Sequence, residues 1–301
     1  MIAAHADWST DPRKRWMTVA RSTPGGWRAT APRPVGDPSA MLAGLLAGGV
    51  PVALGLDVPL GVPRGYAALA GIARFPDFLR DLSGQVDFFT VNDVLGTVAL
   101  ARPFYPQRGV RGMTRASHAA ALGLAGAEGL SRLCDRATAE RPAGAPVFWT
   151  LGANQSGKAA IAVWRDWLAP ALAAGAPIRL WPFEGGLHAL LAPGHAVLAE
   201  VYPAEALRHC GLRMGGSKRA QADRGALAEA VLGAMAARGV QGDAALVAAV
   251  RDGFGRDAAG EDRFDSVIGL LGLIGVLDGA RPDFVPDDPA ITAVEGWVLG
   301  Q

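Results

Sequence analysis

The sequence predicts an α/β fold built on a mixed sheet, an antiparallel three-stranded meander followed by parallel strands, with helices on its faces. Three observations carry this. Half of the 301 residues are hydrophobic, which is enough for one enlarged domain with a large core. Short apolar runs separated by turn residues open the chain. Further on, apolar runs of strand length alternate with segments of helical period.

Taken in order, Ile2 to Trp8 is apolar and carries an acid near its end, Thr10-Asp11-Pro12-Arg13-Lys14 has turn composition, and Trp16 to Ala20 reads as a second strand. Pro24-Gly25-Gly26 supplies another turn before Trp27 to Thr30, completing the meander. Asp37-Pro38-Ser39 then caps a helix in which Met41, Leu42, Leu45 and Leu46 recur at helical spacing, and Gly48-Gly49 stops it. Pro51 to Asp57 is an apolar run ending in an acid, as expected of a buried central strand. From about residue 66 to 145 the chain reads as a mainly helical insertion, whose loop bears Arg102, Arg108, Arg111 and Arg115 among Phe104 and Tyr105. Strands are expected over Pro146–Leu151, Ile178–Phe183 and Ala196–Tyr202, with a helix over Gly157–Leu172 between the first two. Helices over Ala226–Ala237 and Ala244–Val250, a last helix from near Glu261, and a short closing segment over Ile291–Leu299 follow. The whole is expected to form one domain spanning residues 1–301.

The charge balance limits the functional classes. With 29 basic and 28 acidic side chains, no global field draws the chain to nucleic acid, a membrane surface or an acidic substrate, so any nucleic-acid contact needs a local basic patch. Cys134 and Cys210 are far apart in sequence and outside any CxxC spacing, so neither a disulfide framework nor a thiolate zinc site is implied. The opening residues lack a basic stretch followed by an apolar run, and Ile268–Leu277 is too short to cross a bilayer. The expectation is therefore a cytoplasmic protein with no membrane partner.

Three expected strands carry an acid at or near their C-terminal ends: Asp7, Asp57 and Glu200. Ligand sites in α/β sheets lie outside those ends. The last helix adds Asp262 and Asp265, three residues apart and on one face. Hard oxygen donors of this kind suit Mg²⁺ or Mn²⁺, and a set of four can hold two ions that clamp the attacking and leaving oxygens of a phosphodiester. An acid at a strand end also serves as a helix cap or as half of an ion pair, and that alternative stays open.

The segments Ala6-Asp7-Trp8-Ser9, Gly55 to Gly61, Ala199-Glu200-Val201-Tyr202-Pro203, Phe264-Asp265-Ser266-Val267 and Glu295 to Gly300 resemble, in that order, the bacterial domain of unknown function 429 family. The resemblance runs through nearly the whole chain. It implies a ribonuclease-H-like fold, a predicted nuclease activity, and a match of Asp7, Asp57, Glu200 and Asp265 to the family's acidic positions. One departure stands out: the first helix of ribonuclease H enzymes contributes a glutamate, and Met41–Leu46 has none.

Two basic features offer sites for phosphate. Gly152-Ala153-Asn154-Gln155-Ser156-Gly157-Lys158-Ala159 fits the spacing GxxxxGK, but Ala159 stands where a phosphate loop needs Ser or Thr, which argues against an NTPase. Backbone N–H groups near Gly157, with Lys158, can still take up an anion, and a glycine-permitted turn explains the segment equally well. Lys218 and Arg219, with Arg213 and Arg224 nearby, form a second cluster that can hold a phosphate backbone or lie as solvated loop surface. Among the histidines, only His5, two residues before Asp7, shares a strand face with a candidate acid. The leading expectation is a metal-dependent phosphodiester hydrolase acting on nucleic acid or a phosphorylated small molecule. The alternative is a non-catalytic nucleotide- or phosphate-binding protein that uses Gly152–Lys158.

Overall fold

The computed structural model describes residues 1–109, 112–138, 141–152 and 156–301. Its centre is an eight-stranded mixed sheet. The strands are β1 (Ile2–Asp7), β2 (Trp16–Thr23), β3 (Gly26–Ala29), β4 (Arg33–Pro34), β5 (Val52–Leu56), β6 (Ile178–Leu180), β7 (Ala196–Glu200) and β8 (Val240–Gly242). They run in the order β6-β7-β5-β1-β2-β3-β8, with β4 paired to β2. β2 pairs antiparallel with β1, β3 and β4, whereas β1, β5, β7 and β6, and likewise β3 and β8, pair parallel, so β2 is the strand that runs against the others.

Twelve α-helices flank the sheet among the described residues. α1 (Pro38–Leu46), α2 (Arg64–Ala70), α3 (Phe75–Asp81), α4 (Arg115–Ala121), α5 (Ser156–Val163) and α6 (Ala169–Ala173) feed the core on one face. α7 (Leu187–Leu190), α8 (Pro203–His209), α9 (Gln221–Ala226), α10 (Ala228–Ala237), α11 (Ala244–Arg251) and α12 (Gly260–Leu277) follow, and all of them except α9 supply buried residues to the second core. The alternation of strand residues separates the two cores. Ala4, Ala6, Leu54, Leu56 and Leu198 point to the first, and Ala3, Ala53, Val197 and Ala199 to the second.

The meander forms as expected, and so does the first helix, where Asp37 Oδ1 accepts from Ala40 N at 2.8 Å and Pro38 occupies the first turn. The expected helix over Gly157–Leu172 is present as α5 and α6 joined by a π-type turn at Trp164–Leu168. Two expectations fail. The 66–145 segment is α-helical only in α2, α3 and α4, with 3₁₀ turns and loops between them, because its aromatic cluster of Phe75, Phe88, Phe104 and Phe148 packs irregular backbone. Pro146–Leu151 is not a strand. Among the described residues its one β-type pairing is an isolated bridge between Trp149 and Tyr105, and its apolar side chains fill the insertion's core. Among the described residues no helix is long and apolar enough to cross a membrane.

Candidate active site

β1 and β5 are parallel neighbours in which Ala6 pairs with Leu56, and the Asp57 amide donates to the Ala6 carbonyl at 3.2 Å. The next residue on each chain is an aspartate. Asp7 and Asp57 therefore emerge side by side at the carboxyl ends of adjacent strands, on the face opposite Ala6 and Leu56. α12 packs against that face of β1 and brings Asp265 to the same place, so three of the four expected acids share one neighbourhood.

Electrostatics binds these groups together. Burial raises the Asp7 carboxyl well above its ordinary value, and repulsion from Asp57, Asp265 and Asp262 pushes it further. Asp57 is pushed up to about 7, by burial first and then by Asp265, although its side chain accepts a hydrogen bond from protonated Asp7. Burial also raises Asp265, against the opposing pull of Lys218. Asp262, one turn earlier on α12, is pushed up to about 6 by burial and has a buried Oδ2 without a partner. Asp7 is 9 % exposed and, among the described residues, meets no N–H donor. A buried carboxylate facing other carboxylates in this way is stable only when protonated or when a cation is at hand.

Glu200 departs from the expectation. In the β5–β7 register it pairs with Leu56, so its side chain leaves the other face of the sheet from Asp57, although its charge still adds to the upward push on Asp57. There Arg132 grips it with Nη1 to Oε2 and Nη2 to Oε1, both at 2.7 Å, while the Leu60 amide donates to Oε2 at 2.8 Å. Arg132 is fully buried and also pairs with Asp135 at 2.9 Å. Glu200 is thus one half of a structural ion pair, and the four-acid metal set does not form. The sequence offered no view of Arg132, which lies in the poorly patterned insertion.

The basic candidates separate as well. Lys218 belongs to the acid cluster, with Nζ at 2.8 and 2.7 Å from the two oxygens of Asp265. Arg219 is solvated surface, 3.8 Å from Glu261 with an 83 % exposed side chain. Of the Gly152–Lys158 segment, residues 153–155 lie outside the described residues, as does Arg111 of the basic insertion loop. Gly157 is a packing glycine, since a Cβ there would stand 2.3 Å from the Val147 carbonyl oxygen. α5 turns Ser156 and Ala159 toward the acids, and Lys158 is not among the residues that line the space before them. His5 is core: burial lowers it to about 4, and Nε2 donates to the Val201 carbonyl at 3.1 Å.

Asp57 and Asp265 open into a cleft of about 390 Å³, whose lining does not include Asp7; it is within the size range of small-molecule sites. Asp57, Asp265 and Lys218 form its floor, Arg141, Glu205 and Arg208 lie on one side, and Trp8 and Tyr202 give it aromatic walls. Trp8 is held by stacking on Trp167 at 5.5 Å and by Arg15 over its ring at 4.8 Å.

Among the described residues, no three His, Cys, Asp or Glu side chains are grouped closely enough to hold one ion as they stand. Asp7 and Asp57 alone are close enough to share a hydrogen bond, and both oxygens of Asp265 are taken by Lys218. Asp57, which opens on the cleft, and Asp7 beside it still fit Mg²⁺ or Mn²⁺, because Mg²⁺ commonly takes one or two carboxylates and completes its shell with water and substrate phosphate. No protein-family model, curated protein or solved structure matches the chain.

Proposed function

We propose that the chain is a metal-dependent phosphodiester hydrolase of the ribonuclease-H-like class. The observation that carries this reading is the Asp7–Asp57 pair: a buried and a half-buried carboxylate within hydrogen-bonding reach, at the carboxyl ends of adjacent parallel strands, with Asp57 opening on the cleft and no N–H donor to Asp7 among the described residues. The strand order supports it too, because β3-β2-β1-β5-β7, antiparallel on one side of β1 and parallel on the other, is compatible with that class. So does the resemblance to the domain of unknown function 429 family, which matches Asp7, Asp57, Glu200 and Asp265, although Glu200 is held by Arg132 instead.

Asp7 and Asp57 would hold the ion and orient it toward the cleft. A divalent ion there supplies Lewis-acid polarisation of a phosphoryl oxygen. Arg141 and Arg208, although shared with Glu205 at 2.8 and 2.7 Å, put positive charge on the wall where a phosphate's remaining oxygens would lie. Trp8 and Tyr202 bound the space without adding charge. A cleft of this size suits one nucleotide-sized phosphodiester, either free or at the end of a single strand.

Hydrolysis of bis(p-nitrophenyl) phosphate tests the reading. Turnover should require Mg²⁺ or Mn²⁺ and be lost in the Asp7→Asn, Asp57→Asn double variant, with the fold intact by circular dichroism. Turnover that survives in the folded double variant, or a wild type inert with both ions, contradicts it.

A further inference from the structure

The cleft is lined by the carboxyl groups of Asp57, Glu205, Glu261 and Asp265 and by the cations of Arg141, Arg208 and Lys218. Arg141 and Arg208 share Glu205 on the wall. Lys218 lies on the floor, its Nζ at 2.8 and 2.7 Å from the two oxygens of Asp265. It is also close enough to Asp57 to oppose the upward push of burial on that carboxyl. An ammonium has three N–H donors. Asp265 takes two, and among the described residues the third meets no protein acceptor, on a side chain that is 28 % exposed and lines the cleft.

The loop that carries Lys218 aims this donor. Arg224, itself buried, donates from Nη1 to the Lys218 carbonyl, from Nε to the Gly253 carbonyl at 2.8 Å and from Nη2 to the Gly255 carbonyl at 2.6 Å. One residue before, the Ser217 amide donates to Asp223 Oδ2 at 2.8 Å, and a Cβ at Gly216 would stand 2.3 Å from that same oxygen and displace it. With its backbone held by Arg224 and its ammonium by Asp265, Lys218 has little side-chain freedom left to lose when a ligand arrives. A donor fixed in this way is preorganised for a negative charge. Asp265, for its part, has both oxygens engaged, and among the described residues no three-ligand metal set forms around it.

We propose that Lys218 is a catalytic residue whose remaining N–H donates to a non-bridging oxygen of a phosphodiester in the cleft, and that Asp265 is a positioning residue that aims the ammonium and binds no ion. The inference rests on the reading of Asp7 and Asp57 as the ion-binding pair, and it departs from the expectation that Asp265 belongs to the metal set. As water attacks phosphorus and the leaving oxygen departs with its electron pair, the phosphoryl oxygens stay anionic, and the held ammonium stabilises them without reorganising. The proton stays on Lys218 throughout. The same ammonium screens an approaching anion from Asp57 and Asp265 on the floor.

The test is calorimetry on the full chain, with Mn²⁺ and then with dimethyl phosphate added to the Mn²⁺-loaded protein, beside hydrolysis of bis(p-nitrophenyl) phosphate. Wild type should bind one Mn²⁺ with or without dimethyl phosphate. Lys218→Met, which keeps the stem and removes the donor, should bind Mn²⁺ at least as tightly, yet lose about tenfold in affinity for dimethyl phosphate and about a hundredfold in kcat. Lys218→Arg, which keeps the charge, should recover part of both losses, which separates charge from misfolding as the cause. Asp265→Asn should leave Mn²⁺ affinity unchanged and lower kcat by about tenfold or more, with KM little changed, because the ammonium is no longer aimed. Dimethyl phosphate that binds Lys218→Met as tightly as wild type or fails to bind wild type, a second Mn²⁺ in wild type, or Mn²⁺ affinity lost in Asp265→Asn overturns the proposal and leaves the Asp7–Asp57 site in place. No Mn²⁺ binding by wild type overturns both.

Discussion

Replacing Asp57 with Asn isolates the electrostatic strain of the acid pair from any catalytic assay. Asp57 is raised from 3.8 to about 7, by burial and by Asp265. At about 1.4 kcal/mol per pKa unit, that gap corresponds to roughly 4 kcal/mol of penalty once the group is ionised. Part of Asp57 reaches the cleft, where water screens the charge, so about 1–2 kcal/mol is the expected share. The sign follows from linkage. A carboxyl whose folded pKa lies above its unfolded value keeps its proton longer in the native state, so stability is highest below the unfolded value and is lost as pH climbs toward about 7. Ion-free wild type should therefore lose stability between about pH 4 and pH 7. Asp57→Asn should flatten that slope and melt higher at pH 8, by about 2–4 °C for each kcal/mol regained. Asn keeps the shape and relieves Asp7 of its nearest charge. The assay is thermal melting in a chelator across pH 4–8. A variant that melts lower than wild type at pH 8 with the slope unchanged would show that the Asp57 charge is satisfied in the fold, and would refute the argument.

Other substitutions separate structural from ion-binding roles. Glu200→Ala removes one of the two carboxylates that hold the fully buried Arg132, leaving Asp135, and should cost about 3 kcal/mol, read by urea denaturation. In the fraction that remains folded, Mn²⁺ affinity should be unchanged. Lys158→Ala should leave both Mn²⁺ affinity and the melting temperature as they are, within about 0.5 kcal/mol, since its side chain is not at the cleft. Gly269→Ala should be severely destabilising, because a Cβ there would stand 2.2 Å from the buried His5 ring; chemical denaturation measures the loss.

The parts of the fold written in local patterns were legible. The meander needed only alternating runs and turn residues, and Asp37 before Pro38 announced α1. The acids on β1, β5 and α12 were found because each stands at the end or start of an apolar run, and two such strands that are parallel neighbours must bring their ends together. What was not legible depended on register and long-range packing. Glu200 also ends a strand, but it pairs with Leu56 whereas Asp57 lies one residue past it, and that single step sends its side chain to the other face. Nothing near Glu200 in sequence points to Arg132, 68 residues earlier. β8 was missed because Val240–Gly242 is three residues long and takes its extended form from pairing with β3. Pro146–Leu151 was misread because an apolar run of six has the same composition in a strand and in a buried loop. Lys218 was seen only as part of a basic run, since its contact with Asp265 joins residues 47 apart.

The claim on which the account turns is that Asp7 and Asp57 together hold a divalent ion. Crystals soaked in Mn²⁺ and measured at the manganese absorption edge test it most directly. An anomalous peak is expected at the Asp7 and Asp57 carboxylates, absent in Asp57→Asn. A soaked wild-type crystal with no peak between them, or with manganese only at surface carboxylates, would contradict it.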